Sequence, residues 1–167
     1  VKLQTYKPET ITLDSSDPEF VIKGGLWDGR TLYELYHEAH MPWDWHKDLF
    51  NYAEKIGITI FSSPFDRTAV DLLEDLNAPA YKIASFEAID LPLIEYVAQT
   101  GKPVIISTGM ADADEIEEAI VAAKDAGCKE LAILHCVSGY PAPPEDYNLN
   151  TILELRRRFG LVTGLSD

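Results

Sequence analysis

The sequence has no long apolar run and few basic residues, and both shortages exclude classes of function. No stretch approaches the roughly 18 apolar residues of a membrane span. Lysine and arginine number 14 against 28 aspartates and glutamates, giving a formal net charge of −14. Nucleic acids and anionic membrane surfaces bind basic faces, so neither is an expected partner. A small anion is still compatible with this charge, because one lysine about 4 Å from a phosphate contributes roughly 4 kcal/mol at an effective dielectric constant near 20.

Cysteine is also scarce. Cys128 and Cys136 are the only two, and their spacing matches neither a CxxC motif nor a metal-binding pair. Two reduced thiols are typical of a cytoplasmic protein, which is the expected localisation. The apolar content of 46% is enough to bury a core, so we expect a globular domain.

Short β-rich runs alternate with amphipathic stretches along the chain. Such alternation implies parallel strands joined by right-handed crossovers, so the fold is α/β, as a doubly wound sheet or a barrel. Several predicted helices are followed by glycine, where a left-handed C-cap forms. The predicted strands are Val1–Tyr6, Ile58–Ser62, Tyr81–Ala84, Val104–Ser107, Leu131–Cys136 and Val162–Leu165. The predicted helices are Trp43–Ile56, Arg67–Leu76, Leu91–Gln99, Asp114–Ala126 and Leu149–Phe159.

Polar side chains within the strands favour the barrel. Lys2 and Gln4 share one face of the first strand, and Lys82 lies inside the third. A helix would cover that face in a doubly wound sheet, whereas in a (β/α)8 TIM barrel the face lines the lumen and leads to the active site. Other polar residues lie at the carboxyl ends of strands, where barrel enzymes gather their catalytic groups. They are Ser62, Ser63, Ser85, Ser107, Thr108, Ser138, Ser166 and Asp167.

Six β-α units are two short of a closed eight-stranded barrel. Because the pattern starts and stops on strands, we expect residues 1–167 to be a truncated TIM barrel that has lost a unit at each end. Open sheet edges of this kind predict self-association. The segment 7–31 is far longer than the usual βα loop of about two to six residues. Long loops over an active face are usually lids or subunit contacts.

The strand motifs occur in an order that matches a known family. They are Val1–Tyr6, Phe61–Phe65, Ala80–Ser85, Ser107–Met110, Leu134–Cys136, Tyr140–Pro141 and Gly164–Asp167. Together they resemble the N-acetylneuraminate (sialic acid) synthase family over the whole chain, although each motif alone would be weakly specific. Within that family, residues 20–46 are most similar to the pseudaminic acid synthases.

The resemblance implies a transferase. It implies the condensation of phosphoenolpyruvate with the open-chain form of 2,4-diacetamido-2,4,6-trideoxy-L-altrose to give pseudaminic acid and phosphate, with N-acetylneuraminate or legionaminate synthesis as the alternative. It also implies a divalent metal, Mn²⁺ or Mg²⁺, and a homodimer. Outside this chain it implies a first strand with a catalytic glutamate, a last barrel strand and a C-terminal antifreeze-like domain. The 167 residues alone are therefore expected to be inactive.

The resemblance also assigns roles to residues. It makes Lys2, Lys82 and Asp167 catalytic. A lysine buried in a barrel without an anion carries a desolvation penalty of several kcal/mol, so a bound anion is favoured over the alternative, a buried partner such as Glu87. The phosphoenolpyruvate-binding residues are Lys2, Ser63, Lys82, Ser85, Ser107 and Ser166. The sugar-binding residues are Gln4, Ser138 and Tyr140, with Ser138 standing where the neuraminate synthases carry an asparagine.

No metal ligand is assigned within the chain. By the resemblance, two histidine ligands are expected beyond Asp167, one directly after it and one on a missing strand. His37, His40 and His46 lack a second ligand pair with zinc spacing, so we interpret them as solvated or capping residues. His135 lies between apolar strand neighbours and is interpreted as a core histidine with its hydrogen bonds satisfied.

Two other functions stay open. Lys82 could form a Schiff base with pyruvate, as in lyase-type aldolases. Alternatively, the chain could be a non-catalytic barrel fragment, although such a piece would have no need for two inward lysines and a set of serines.

Overall fold

Six parallel strands form one sheet in the order of the sequence. The computed structural model describes residues 1–139 and 142–166. Each strand pairs with the next along the chain, whereas a doubly wound sheet reverses its order at a switch point. The barrel-type α/β fold predicted from the sequence is confirmed. The strands are β1 (Lys2–Thr5), β2 (Phe61–Pro64), β3 (Tyr81–Ile83), β4 (Val104–Ser107), β5 (Leu131–Cys136) and β6 (Val162–Ser166).

Helices connect the strands on one side of the sheet. The five helices predicted from the sequence are present, with ends shifted by at most two residues. No helix among the described residues combines the length and apolarity needed to cross a membrane. The α-helices are α1 (Pro8–Ile11), α2 (Leu32–Ala39), α3 (Trp45–Ile56), α4 (Arg67–Asp75), α5 (Leu91–Ala98), α6 (Ala113–Asp125) and α7 (Asn150–Phe159). Short 3-10 helices span Phe86–Ile89 and Pro144–Tyr147.

The core lies between the sheet and these helices. Alternate residues of β3 and β4 are buried completely or almost completely, as are Leu73 of α4 and Ile94 of α5. Each buried aliphatic side chain contributes roughly 1.5–3 kcal/mol relative to an exposed one. The other residues of the same strands therefore face away from the helices, into the lumen. The core residues on the helix side of β3, β4 and β5 are Tyr81, Ile83, Val104, Ile106, Leu131 and Ile133.

The second strand begins later than predicted. The sequence pattern placed it at Ile58–Ser62, whereas β2 begins at Phe61. Gly57 ends α3 with φ 73°, and the N–H of the next residue still donates to the Ala53 carbonyl at 2.9 Å. Pairing with β1 starts where Phe61 meets Lys2. Residues 58–60 therefore connect the end of α3 to the first paired residue of β2.

The long segment 7–31 contains more structure than a loop. The sequence pattern predicted neither the helical turn α1 nor the antiparallel bridge between Val21 and Thr31. Thr31 then caps α2, and its hydroxyl accepts from the Glu34 N–H at 3.1 Å. The Glu34 carboxylate in turn accepts from the Thr31 N–H at 3.0 Å, which completes a capping box. The segment is thus tied to the start of α2.

An aromatic cluster fixes α2 at the carboxyl end of the first two strands. Tyr6, which follows β1, packs edge-on against Phe65, which follows β2, with ring centroids 5.6 Å apart. Tyr6 also contacts Tyr36 and His40 of the α2 region at 6.1 and 6.4 Å. The long segment and α2 therefore border the edge of the sheet where a barrel active site lies.

Candidate active site

Strand alternation brings the predicted site residues of several strands to one face. Leu3 and Thr5 of β1 lie on the helix side, and Thr5 is bonded to His46 of α3. Lys2 and Gln4 therefore face the lumen, as Lys82 does between the buried core residues of β3. On β6, Thr163 is bonded to Arg156 of α7, which leaves Ser166 on the lumen side. The lumen-facing polar set is Lys2, Gln4, Ser63, Lys82, Ser107, Cys136 and Ser166.

Lys82 is the central charge of this face. The residue is only 8% exposed. Burial lowers its pKa, and the positive charge of Lys2 lowers it further, so the two ammonium groups lie close enough to repel. Within the described residues, no carboxylate lies within 4 Å of the Lys82 nitrogen. Glu87 acts on Lys82 only at longer range, so the ion pair considered as an alternative is not formed.

Two buried hydroxyls face the same space without a bond. Ser63 is 1% exposed and Ser107 is fully buried, and neither Oγ has a hydrogen-bond partner among the residues described. A buried polar group without a partner costs about 1–3 kcal/mol, and native proteins contain few. Ser63 lies beside Gln4 of β1 in the ladder. The lumen therefore presents two positive charges and two free hydroxyl donors.

Three loops meet at the rim above these strands. A Cβ placed on Gly109, after β4, would lie 2.4 Å from the Cβ and Oγ of Ser85, after β3. It would also lie 2.9 Å from the Oγ of Ser138, after β5. The two serines therefore converge on the backbone of Gly109, and this approach is possible only because Gly109 has no side chain.

Lys82 is held in place from the helix side. The neighbouring Tyr81 donates its hydroxyl to Glu74 of α4. The same carboxylate oxygen accepts from Lys102 at 2.5 Å. Burial and the bond to Glu74 raise the pKa of Tyr81, so its hydroxyl keeps its proton. This network fixes β3 against α4 and so fixes the point from which Lys82 extends.

Glu87 is a further candidate site residue. The sequence indicated it only as a possible partner for Lys82. It lies in the 3-10 turn directly after Ser85, and its Oε2 is buried without a partner among the described residues. Burial raises its pKa to about 7, with a further rise from the charge of Asp90. It can therefore gain or lose a proton near neutral pH. The feature of the sequence that could have identified Glu87 is a carboxylate a few residues after the end of β3.

Three histidine rings make hydrogen bonds among the described residues. His40 donates from Nδ1 to the His37 carbonyl at 2.7 Å at the exposed end of α2. His135 is half-buried and bonds to the Tyr147 carbonyl at 2.6 Å. The prediction for His46 was wrong: it is fully buried, because α3 turns it toward the hydroxyl of Thr5 on the helix side of the sheet.

The residues that the structure describes do not form a metal site. In the described part of the chain, no three histidine, cysteine, aspartate or glutamate side chains are grouped as metal ligands. Both cysteines are free. Asp167 and Tyr140, two of the predicted site residues, lie outside the described residues. The placement of the other predicted residues brings them together, while their roles stay predictions.

Comparisons of the sequence with known proteins point to one family. The NeuB family matches residues 1–167. Pseudaminic acid synthase of Helicobacter pylori is 49% identical over 167 residues, which are 100% of this chain and 49% of that protein. N,N'-diacetyllegionaminic acid synthase of Campylobacter jejuni is 35% identical over 170 residues, covering 100% of this chain and 51% of that protein.

A solved structure agrees with the sequence relatives. N-acetylneuraminic acid (sialic acid) synthetase from Leptospira borgpetersenii superposes with a TM-score of 0.84 at 30% identity, covering 99% of this chain and 53% of that one. The chain therefore has the same barrel-type fold as the matching part of that synthetase. The chain belongs to the NeuB family. It spans about half the length of the curated relatives it matches.

Replacing Gly109 tests the convergence of the rim loops. Gly109→Ala would force its new methyl group into Ser85, so we expect a loss of about 1–3 kcal/mol in the free energy of unfolding, as for other overpacked sites. Gly139→Ala is the matched control, since no atom lies within 4 Å of its Cβ position and its φ is outside the left-handed region. Urea denaturation of both variants measures the difference. Equal midpoints would contradict the close approach.

Glu87 should make stability depend on pH. Its pKa is about 7 in the folded state against 4.5 for the ordinary group. Between these values the folded state holds a proton that the unfolded state has released, so stability falls as pH rises through this window. We expect the stability of Glu87→Gln, relative to the unsubstituted protein, to increase from about pH 4.5 to about pH 7 and then level off. Urea unfolding between these pH values measures the difference in the free energy of unfolding, and Glu118→Gln is the control. A difference that does not change with pH would contradict the raised pKa of Glu87.

Proposed function

We propose that the full-length protein is a phosphoenolpyruvate-dependent transferase that makes a nonulosonic acid, most specifically pseudaminic acid. The observation that carries this proposal is the pair of lysines, Lys2 and Lys82, on a lumen face that also holds two unpartnered buried hydroxyls. Phosphoenolpyruvate carries a phosphate and a carboxylate, which match two ammonium groups and several hydroxyl donors. The family membership supports the same class of reaction.

A bound anion would stabilise the positive charges in the lumen. Without one, burial and repulsion from Lys2 both destabilise the charged form of Lys82 and lower its pKa. A phosphate beside both lysines reverses the sign of the local field and favours their charged forms. Ser63 and Ser107 can then donate to phosphate oxygens, and Ser85 and Ser166 extend the hydroxyl set at the rim. The overall charge of −14 opposes this little, because exposed charges beyond roughly 8 Å are screened by salt.

The proposed reaction uses the lumen and the rim together. The enol carbon of phosphoenolpyruvate attacks the aldehyde carbon of the sugar, a C–C bond forms, and the aldehyde oxygen takes up a proton. Water adds at C2, and cleavage of the C2–O bond releases phosphate and leaves a 2-keto acid. Glu87, with a pKa of about 7, is suited to hold and deliver one of these protons. Gln4, Ser138 and Tyr140 are proposed for the sugar.

A divalent ion, Mn²⁺ or Mg²⁺, is proposed for the full-length protein from the family resemblance alone. The described residues do not fit such an ion, and no step above depends on it. When bound, it would polarise the aldehyde oxygen. On the same resemblance we propose a cytoplasmic homodimer, with Asp167 near the catalytic centre and no turnover by the 167 residues alone.

The choice of sugar has a direct test. We expect the full-length protein, given phosphoenolpyruvate with equal amounts of 2,4-diacetamido-2,4,6-trideoxy-L-altrose and a monoacetamido hexose, to release phosphate and form the nine-carbon acid of the diacetamido sugar. Mass spectrometry of the products and a phosphate assay measure both. Product from the monoacetamido sugar alone would move the assignment to the neuraminate synthases. No product from any sugar would refute the function.

Removing the charge of Lys82 tests the binding site. Lys82→Met removes the charge and keeps most of the side-chain length, and the loss of a contact worth about 4 kcal/mol predicts phosphoenolpyruvate binding weaker by about 1,000-fold. Lys102→Met is the control, because Lys102 is bonded to Glu74 on the helix side of the sheet. Calorimetric titration of both full-length variants measures the effect. Equal affinities would contradict the role of Lys82, and no binding by the unsubstituted protein would favour a non-catalytic fragment.

The lowered pKa of Lys82 also favours a second candidate, a Schiff-base aldolase, since an uncharged amine is a nucleophile. Borohydride reduction in the presence of pyruvate separates the two chemistries. A stable adduct on Lys82 would replace the phosphoenolpyruvate proposal. We expect none, because a phosphate bound beside this lysine keeps its nitrogen protonated.

A further inference from the structure

A closed ring of hydrogen bonds surrounds the carboxyl end of β1. His46 is fully buried, and its Nε2 lies 2.8 Å from the Thr5 hydroxyl. Its Nδ1 lies 3.1 Å from the Trp43 carbonyl. Trp43 in turn donates its indole N–H to the Tyr6 carbonyl at 3.1 Å. The ring therefore runs from Thr5 through the start of α3 and returns to the residue after Thr5.

The direction of each bond in this ring follows from the Trp43 carbonyl. A carbonyl only accepts, so Nδ1 of His46 must carry the hydrogen. Burial lowers the pKa of His46, and the neutral ring then leaves Nε2 as an acceptor. Thr5 must donate its hydroxyl hydrogen to Nε2. Its oxygen, 2.7 Å from the Ser62 hydroxyl, must accept from Ser62. One tautomer of one histidine therefore orients two buried hydroxyls on neighbouring strands.

The two hydroxyls sit next to two lumen residues. Thr5 follows Gln4, and Ser62 precedes Ser63, so each member of the network faces the helices while its neighbour faces the lumen. Gln4 and Ser63 are themselves opposite each other in the ladder. The amino end of β1 is held separately, because the Val1 carbonyl accepts from the Phe61 N–H at 3.0 Å. Loss of the network would therefore displace Gln4 more than Lys2.

We propose that His46 is a positioning residue, which sets the rotation of β1 and so places Gln4 against the sugar. This inference rests on the proposed function, because it takes the sugar side of the site to be where Gln4 lies. His46 does not touch the lumen and acts only through Thr5. Ser63 is held in β2, which pairs with β1 on one side and β3 on the other. Loss of His46 should therefore affect Gln4 and the amino sugar more than Ser63 and phosphoenolpyruvate.

Three variants of the full-length enzyme test this role in steady-state assays. His46→Phe removes the acceptor, Thr5→Val removes the hydroxyl while keeping the shape, and His46→Gln restores an acceptor near the Nε2 position. For His46→Phe and Thr5→Val we expect the KM of the amino sugar to rise about three- to tenfold, which corresponds to the loss of one neutral hydrogen bond. The KM of phosphoenolpyruvate should change less than about twofold. His46→Gln should recover part of the loss.

Leu155→Ala is the control for stability, since Leu155 is buried in α7, which packs against β5 and β6 at the opposite edge of the sheet from β1. Unfolding reduces the active fraction but cannot raise the KM of one substrate, so this variant should show unchanged KM values even where its melting temperature falls. Equal KM changes for both substrates, or none in His46→Phe, would overturn the positioning role. If the unsubstituted enzyme itself gives no turnover, the proposed function fails instead.

Discussion

The unpaired positive charge of Lys82 is the constraint on which the site depends. A lysine that is 8% exposed, with no carboxylate within 4 Å among the described residues, lowers the stability of the empty fold. The hydroxyls of Ser63 and Ser107 add to this cost, since they too are buried without partners in the part of the chain described. Groups that each destabilise the fold are gathered on one face, and a single anion with several oxygens would satisfy all of them. Several destabilising polar groups on one face are expected of a binding site, whereas a face that serves only for packing would not contain them.

The opposite side of the sheet supplies the rigidity that this face requires. Tyr81, directly before Lys82, is bonded to Glu74, which also holds Lys102. Thr5, directly after Gln4, is bonded to His46. Because strand residues alternate between faces, a polar bond on the helix side fixes the side chain beside it on the lumen side. Polar groups in the core thus orient the site, in addition to the apolar packing that stabilises the sheet.

The parts of this structure that the sequence predicted are those with local signals. The β-α alternation and the glycines after helices depend on neighbouring residues, so the predicted helices end within two residues of their observed positions. The start of β2 was misplaced because it is set by Lys2, far away in the chain, and not by the apolar run at Ile58. His46 was misjudged for a similar reason. Its burial depends on the face of α3 that meets β1, which a single histidine in a polar stretch does not reveal.

The site residues show the same division. Lys2 and Lys82 could be predicted because a charge inside a β-rich run contradicts its surroundings. Glu87 could not be predicted as easily, since a glutamate in a turn is ordinary until its burial and its pKa of about 7 are known. The close approach of Ser85 and Ser138 to Gly109 was not predicted, because it depends on how the backbone of a third loop meets both side chains.

Under the proposed function, the phosphoenolpyruvate residues lie mainly within strands, whereas the sugar residues are divided between Gln4 in β1 and Ser138 in a loop. Lys2, Ser63, Lys82 and Ser107 lie within strands, whose positions are fixed by the ladder. Ser138 lies in a loop above β5, and α2 borders the same rim through its contacts with Tyr6. Loop residues can change without disturbing the sheet. If the proposed function holds, such a barrel could keep its strand residues for phosphoenolpyruvate while loop residues at the rim change for different sugars. That arrangement would be consistent with the matches of this chain to both pseudaminic and legionaminic acid synthases.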